Sequence, residues 1–269
     1  MTVAMDSNQD TSSTPVLTIS NGEATVRLNR PKQLNKLTAD DLAALRVIFD
    51  RVDADPTVRV LILTGTGRVF SAGYDLGDIA ARAARTETVA AEPPPPSTTF
   101  ESVVDRLEDL AVPTICKLNG GVYGGATDLA LSCDFRIGVD SCEMFMPAAR
   151  LGLHYYKSGM VRYVSRLGLA AAKKLFLTAQ KIDAREMVRI GYLDETVPAD
   201  RLDGRVAELA VAITANAPIA TRGMKRTLNE IARGKLDEAA AERRHRDSLR
   251  GAELREGSAA FAEKRPPKF

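Results

Sequence analysis

Asp128 lies inside "KLNGGVYGGATDLALSCD", residues 117–134, where two glycine pairs separate an apolar lead-in from a helix-like run. Glycines at such a point let a ligand approach the backbone closely, here with a titratable group beside it. A second stretch, "GRVFSAGYDL" (67–76), has the same plan. Strands that end in glycine and run into helices present backbone N–H groups where open α/β folds bind ligands. If the two junctions lie side by side, each offers one N–H to the same oxygen. Such donors, aimed at a developing oxyanion, are worth roughly 3–4 kcal/mol each. Taken singly, either stretch is also what an ordinary strand-to-helix turn looks like, and Asp128 could simply cap the helix starting at Gly125 or Ala126.

Further candidates follow in "GLHYYKSGMVRY", which sets His154, Tyr155, Tyr156 and Lys157 in a row. His154 is one of only two histidines and is a candidate acid or base by residue type, although a position on a loop surface accounts for it equally well. Aromatic residues here serve packing as readily as chemistry, and the same holds for Tyr74 and Tyr123. Glu143 reads as a surface acid, and His245, in "AERRHRDSLR", as part of a solvated helix face.

The elements that must position these residues are legible from pattern. "VLTISNGEATVRLN" reads as a hairpin about Asn21-Gly22. Thr38 is placed to cap a helix with leucines at helical spacing. "RVLILTGTG" is a short β-branched run of the kind buried on both faces, and "FESVVDRLEDLAVPTICKLNGG" repeats helix then buried strand. This alternation predicts an α/β fold with parallel strands. "GDIAARAARTETVAAEPPPPSTTF" breaks the pattern with four prolines and reads as a surface loop or short helix. From about Gly168 onward the chain is expected to be largely helical, with few strand signals.

Bulk properties exclude several classes. The 269 residues are 45% hydrophobic, and 37 basic residues nearly balance 35 acidic ones, so no field for nucleic acid or an acidic membrane surface is implied. Cys116, Cys133 and Cys142, with two histidines, make neither a disulfide framework nor a metal-ligand cluster. No apolar run approaches the ~20 residues of a membrane span. The polar opening residues carry no apolar signal core, and a cytoplasmic location is expected.

On these motifs the chain resembles the crotonase (enoyl-CoA hydratase/isomerase) superfamily, from about Val16 to Phe269. The likeness rests on "NRPKQLNKL", "TGTGRVFSAGYDL", "LNGGVYGGATDLALSCDFRIG", "PAARLGL", "LTAQKIDAREMVRIGYLDETVP" and "GSAAFAEKRPPKF". The polar opening residues read as a disordered tail (1–14), and the resemblance implies a ββα spiral core (15–200) and a helical region (201–269) that assembles homo-trimers or hexamers. The implied substrate is an acyl-CoA thioester, with its carbonyl held by the N–H groups of Tyr74 and Gly125. Ser71, Ala72 and Leu76 would line the adenine side, Leu34 and Lys36 would lie near the pantetheine and phosphates, and Phe261 and Lys264 would reach a neighbouring subunit's nucleotide. No metal or redox cofactor is implied, since CoA arrives within the substrate.

The resemblance places Asp128 where the family carries its first catalytic glutamate, one methylene shorter and so set back by ~1 Å. Relatives that isomerise dienoyl-CoA esters carry aspartate there. Hydratases of the family add a second glutamate twenty residues on, after a proline; here the pair is Pro147-Ala148. Alanine neither donates nor accepts a proton, which argues against two-carboxylate hydration. Tyr155 falls where methylmalonyl-CoA decarboxylase relatives carry an active-site tyrosine, and Tyr156 near the second acid of the dienoyl isomerases. The expected function is acyl-CoA processing through a thioester enolate, as a lyase or isomerase. Asp128 is the expected acid/base, assisted by Tyr155, Tyr156 or His154. The alternatives are a methylmalonyl-CoA-type decarboxylase and a catalytically impaired CoA-ester-binding protein. An RNA-binding role, known for a few relatives, is argued against by the absence of a basic, aromatic-interleaved stretch.

Overall fold

The computed structural model describes residues 13–75, 77 and 98–269. Leu76, most of the N-terminal tail and the alanine- and proline-rich stretch lie outside the described residues. The chain opens with an antiparallel hairpin, β1 (Val16–Ser20) and β2 (Glu23–Leu28). Asn21 and Gly22 both adopt positive φ (51° and 79°), the conformation a two-residue turn needs to match the strands' twist. Helix α1 (Ala39–Ala54) follows, and Thr38 and Asp41 form a reciprocal capping box at its start.

Three successive turns then repeat one plan: a long strand, a short strand and a helix. They are β3 (Val60–Gly65), β4 (Val69–Ser71) and α2 (Phe100–Glu108); β5 (Thr114–Leu118), β6 (Gly121–Tyr123) and α3 (Ala126–Leu131); and β7 (Phe135–Val139), β8 (Glu143–Phe145) and α4 (Lys157–Thr178). The long strands pair in parallel in a six-stranded sheet, ordered β1-β2-β3-β5-β7 and closed by β10 (Glu195–Val197). The short ones form a second sheet, β4-β6-β8, closed by the antiparallel β9 (Ile182–Asp183). Each turn therefore contributes one strand to each sheet before its helix, which is a ββα spiral. All six residues of β3 (VLILTG) are buried, as expected of a near-continuous apolar run in a strand covered on both faces.

From Gly168 onward the chain is largely helical, as expected, with two refinements. Helical structure begins at Lys157, well before Gly168; Gly168 instead breaks α4 with φ 80°. Two short strands, β9 and β10, lie within the stretch expected to be helical, on either side of α5 (Ala184–Arg189). Both are too short to leave a periodic signal. Beyond β10 come α6 (Leu202–Thr214), α7 (Pro218–Ala232), α8 (Glu238–Ser248) and α9 (Ala252–Ala262). The cysteines are free and buried. Among the described residues no helix is long and apolar enough to cross a membrane, and no group of potential ligands could hold a metal ion.

Candidate active site

The two glycine junctions meet. After β4, residues 72–75 run beside residues 34–37: Ala72 donates to the Leu34 carbonyl (2.8 Å), Leu37 to Gly73 (2.9 Å) and Asp75 to Leu37 (2.9 Å). Buried Asn35 pins this ladder, its Nδ2 donating to the carbonyls of Thr66, Val69 and Phe70. Gly73 adopts φ 94°, and a Cβ built on it would lie 2.5 Å from the Tyr123 oxygen and 3.1 Å from the Gly125 nitrogen. Only glycine lets these segments approach so closely. The backbone at 72–73 thus abuts the backbone at 123–125, where Gly125 caps α3. Among the described residues the Gly125 N–H has no acceptor.

Asp128 is fully buried in the first turn of α3, but it does not cap the helix. Its carboxylate accepts from Arg162 Nη1 through both oxygens (2.9 and 2.8 Å), and Oδ2 also accepts from the Tyr156 hydroxyl. Arg162, itself fully buried, donates onward from Nη2 to Asp105 (2.6 Å) and Glu108 (3.1 Å) on α2. Burial raises the Asp128 carboxyl above the usual aspartate value, and the Arg162 charge opposes that rise. Burial would lower Arg162, but Asp128 and Glu108 outweigh it and hold the guanidinium protonated. Removing one partner from a buried pair of this kind costs on the order of 3–5 kcal/mol, because the other charge is stranded.

Gly159, one turn into α4, makes room for this cluster. A Cβ there would fall 2.6 Å from the Tyr155 ring, 2.7 Å from Asp128 Oδ2 and 2.9 Å from the Tyr156 ring. Tyr155 and Tyr156 stack at 4.5 Å, and Phe100 bridges Tyr156 (6.1 Å) and Tyr74 (5.7 Å). The Phe100 ring also lies against Gly125, 2.8 Å from where a Cβ would stand. Tyr74, Phe100 and Tyr156 therefore form an aromatic wall over the glycine junction. The Tyr155 hydroxyl is buried with no partner among the described residues, and burial pushes its pKa well up.

The remaining candidates divide. His154 is exposed, its ring nitrogen 2.9 Å from the Tyr155 carbonyl, and the structure does not bring it to Asp128. Ala148 is buried in the 3-10 turn Ala148–Leu151. Tyr123 donates to Glu143 (2.7 Å), which also accepts from Lys181 (2.8 Å), so this phenol is committed to a separate half-exposed cluster. His245 is exposed on α8. Leu34, Lys36, Ser71 and Ala72 come together along the 34–37 ladder, where Ser71 donates to the Asn35 carbonyl (2.7 Å) and Lys36 pairs with Asp75 (2.6 Å). Phe261 and Lys264 are exposed at and just beyond the end of α9. A concavity of about 360 Å³ on the β1–β2 hairpin, with Glu23 and Arg27 as its only charged lining groups, shares no residue with this site.

Arg162, Glu108, Gly159 and Phe100 are the members that sequence reasoning missed. Glu108 had a signal: it shares the face of Val103, Val104 and Leu107, all buried, at helical spacing.

The enoyl-CoA hydratase/isomerase family model matches residues 18–269. A short-chain-enoyl-CoA hydratase of Clostridium acetobutylicum is 33% identical over 219 residues, covering 81% of this chain and 82% of that protein. A crotonyl-CoA hydratase of Syntrophomonas wolfei is 32% identical over 252 residues, covering 91% and 94%. Among solved structures, an enoyl-CoA hydratase from Bacillus anthracis superposes with a TM-score of 0.83 at 28% identity, covering 96% and 99%.

Proposed function

This chain belongs to the enoyl-CoA hydratase/isomerase family, and from that premise we propose that it moves a proton on the acyl chain of a CoA thioester. The thioester carbonyl binds at the glycine junction, receiving the N–H groups of Tyr74 and Gly125. The observation that carries this reading is the close approach of Gly73 to Gly125, which sets the two backbone segments against one another. Two fixed donors at one oxygen stabilise an enolate more than they stabilise the ground-state carbonyl.

Asp128 and Tyr156 act as one proton-transfer unit. Three hydrogen bonds surround the Asp128 carboxylate, and its atoms are fully buried, so it reaches substrate through the Tyr156 hydroxyl. In a double-bond shift, a proton leaves one carbon for the Tyr156 oxygen while the phenolic proton passes to Asp128. The electron pair spreads into the thioester dienolate. A proton is then delivered by the same relay in reverse to a second carbon, after exchange with solvent at the Tyr156 hydroxyl, so nothing is consumed. Hydration by paired carboxylates is disfavoured, because Ala148 offers no second acid and is buried among apolar neighbours.

A second reading, loss of CO2 from an acyl-CoA, draws support from the unpartnered Tyr155 hydroxyl beside Tyr156. CoA lies along residues 34–37 and 71–72, with Lys36 towards its phosphates. The C-terminal helices make the subunit contacts, which exposed Met224, Leu228, Ile231 and Phe261 favour. A mass-spectrometric screen of acyl-CoA esters tests the proposal, scored separately for isomerisation, CO2 loss and water gain. Turnover by isomerisation or CO2 loss supports it; tight CoA-ester binding with no turnover of any ester overturns it.

A further inference from the structure

The two terminal nitrogens of the Arg162 guanidinium bridge Asp128 on α3 and the pair Asp105 and Glu108 on α2, while its buried Nε has no partner among the described residues. Glu108 in turn collects two more cations: Arg166 reaches its Oε1 (3.0 Å), and Arg233, at the end of α7, reaches its Oε2 through Nε (3.0 Å) and Nη2 (2.6 Å). Asn229 of α7 donates to the Glu108 carbonyl as well (3.1 Å). Glu108 is almost wholly buried (side chain 8% exposed), whereas Arg233 is partly open (24%). The chain of contacts therefore runs without a gap from the C-terminal helices to the carboxylate of Asp128.

We infer that Arg162 is a positioning residue that fixes the orientation and charge of Asp128, and that the Glu108–Arg233 pair sets how strongly it does so. The step from that charge to turnover rests on the functional reading given above. Other groups facing Asp128 come from the Tyr155–Tyr163 segment, whose three phenols, Tyr155, Tyr156 and Tyr163, are neutral because burial raises each of them well above its ordinary value. Tyr192, which donates to the Thr127 carbonyl, is neutral for the same reason. The charged network around the carboxylate thus consists of Glu108, Arg162, Arg166 and Arg233, with Asp105 and Asp109 at its more exposed ends. In a buried setting each charge acts over several ångströms with little screening.

Two substitutions at one ion pair then have opposite signs. Glu108→Gln removes a negative charge, leaves the cluster more positive and lowers the pH at which Asp128 titrates. Arg233→Gln removes a positive charge from the same carboxylate and raises that pH. A purely structural pair would instead give two variants that fail in the same way. Glu108→Asp and Arg233→Lys keep the charges and should restore the wild-type midpoint.

The test is carboxyl 13C NMR on full-length protein labelled at aspartate, with the Asp128 signal assigned by its loss in Asp128→Asn. Midpoints displaced in opposite directions by about half a pH unit or more support the inference. Midpoints that move together, stay put, or belong to a signal that never titrates overturn it. The acid limb of kcat on 3-hexenoyl-CoA is recorded in parallel. Opposite NMR shifts with turnover indifferent to Asp128→Asn would retain Arg162 as the group that sets this charge while removing Asp128 from the proposed reaction.

Discussion

Positions 128 and 148 stand twenty residues apart, and the chain treats them in opposite ways. Around Asp128 it buries an arginine, a glutamate and three phenols, and satisfies the carboxylate with three hydrogen bonds. Ala148 instead belongs to the apolar core, buried in a 3-10 turn, and carries no acid of its own. Ionised groups are costly to bury and are retained only when paired, so the first region represents a large commitment of stability to one charge. The second region makes no such commitment. On the proposed reading, the difference concentrates acid–base capacity on one wall, an arrangement suited to moving a proton between carbons rather than activating water.

The strongest way to break that comparison is Asp128→Asn. Turnover is expected to fall at least ~100-fold with CoA binding nearly intact, as kcat and Kd on the same ester will show. Because Arg162 loses its counter-charge, stability should fall too, so activity is compared at a temperature where calorimetry finds the variant folded. Next comes Tyr156→Phe, which keeps the ring stack and deletes the hydroxyl; a loss of roughly 10-fold or more in kcat is expected, with little change in KM. Undiminished turnover would mean that Asp128 meets the substrate by another route.

Gly159→Ala sharpens the same wall sterically. Its methyl must displace Asp128 or the tyrosine rings, at a cost of about 1–3 kcal/mol that a denaturation midpoint will report. A smaller effect is expected at the other wall. Ala148→Glu should raise water addition to crotonyl-CoA severalfold from a low baseline, and a wild-type enzyme already fast with Ala148 would contradict the contrast. The smallest effect concerns pH. Asp128 must be ionised to act, and burial raises its pKa, so the acid limb of kcat should lie above the ordinary aspartate range.

Much of this arrangement was legible because local pattern determines it. The Asn21-Gly22 turn, the Thr38 cap, the buried run at 60–65 and the glycines at 73 and 124–125 each follow from neighbours in sequence. Crotonase-type architecture was likewise recognisable from the order of these motifs. The charge network was not, since Arg162 meets Glu108 across 54 residues and Arg233 meets Glu108 across 125. In sequence such charges look like solvated helix faces, and only packing reveals that they are buried. Gly159 was hidden for the same reason: its role is to leave a space for the Asp128 carboxylate of α3 and for the rings of Tyr155 and Tyr156. His154, by contrast, looked suited to catalysis by residue type, and the backbone turns it outward.

The central claim is that one acid, Asp128, serves a thioester held at residues 74 and 125. Incubating 3-hexenoyl-CoA with the enzyme in deuterium oxide, and following the product by mass spectrometry, tests it most directly. The expected result is an isomerised ester carrying deuterium on carbon, lost in Asp128→Asn, with mass gain from water far slower. Rapid water addition that persists in Asp128→Asn would contradict it.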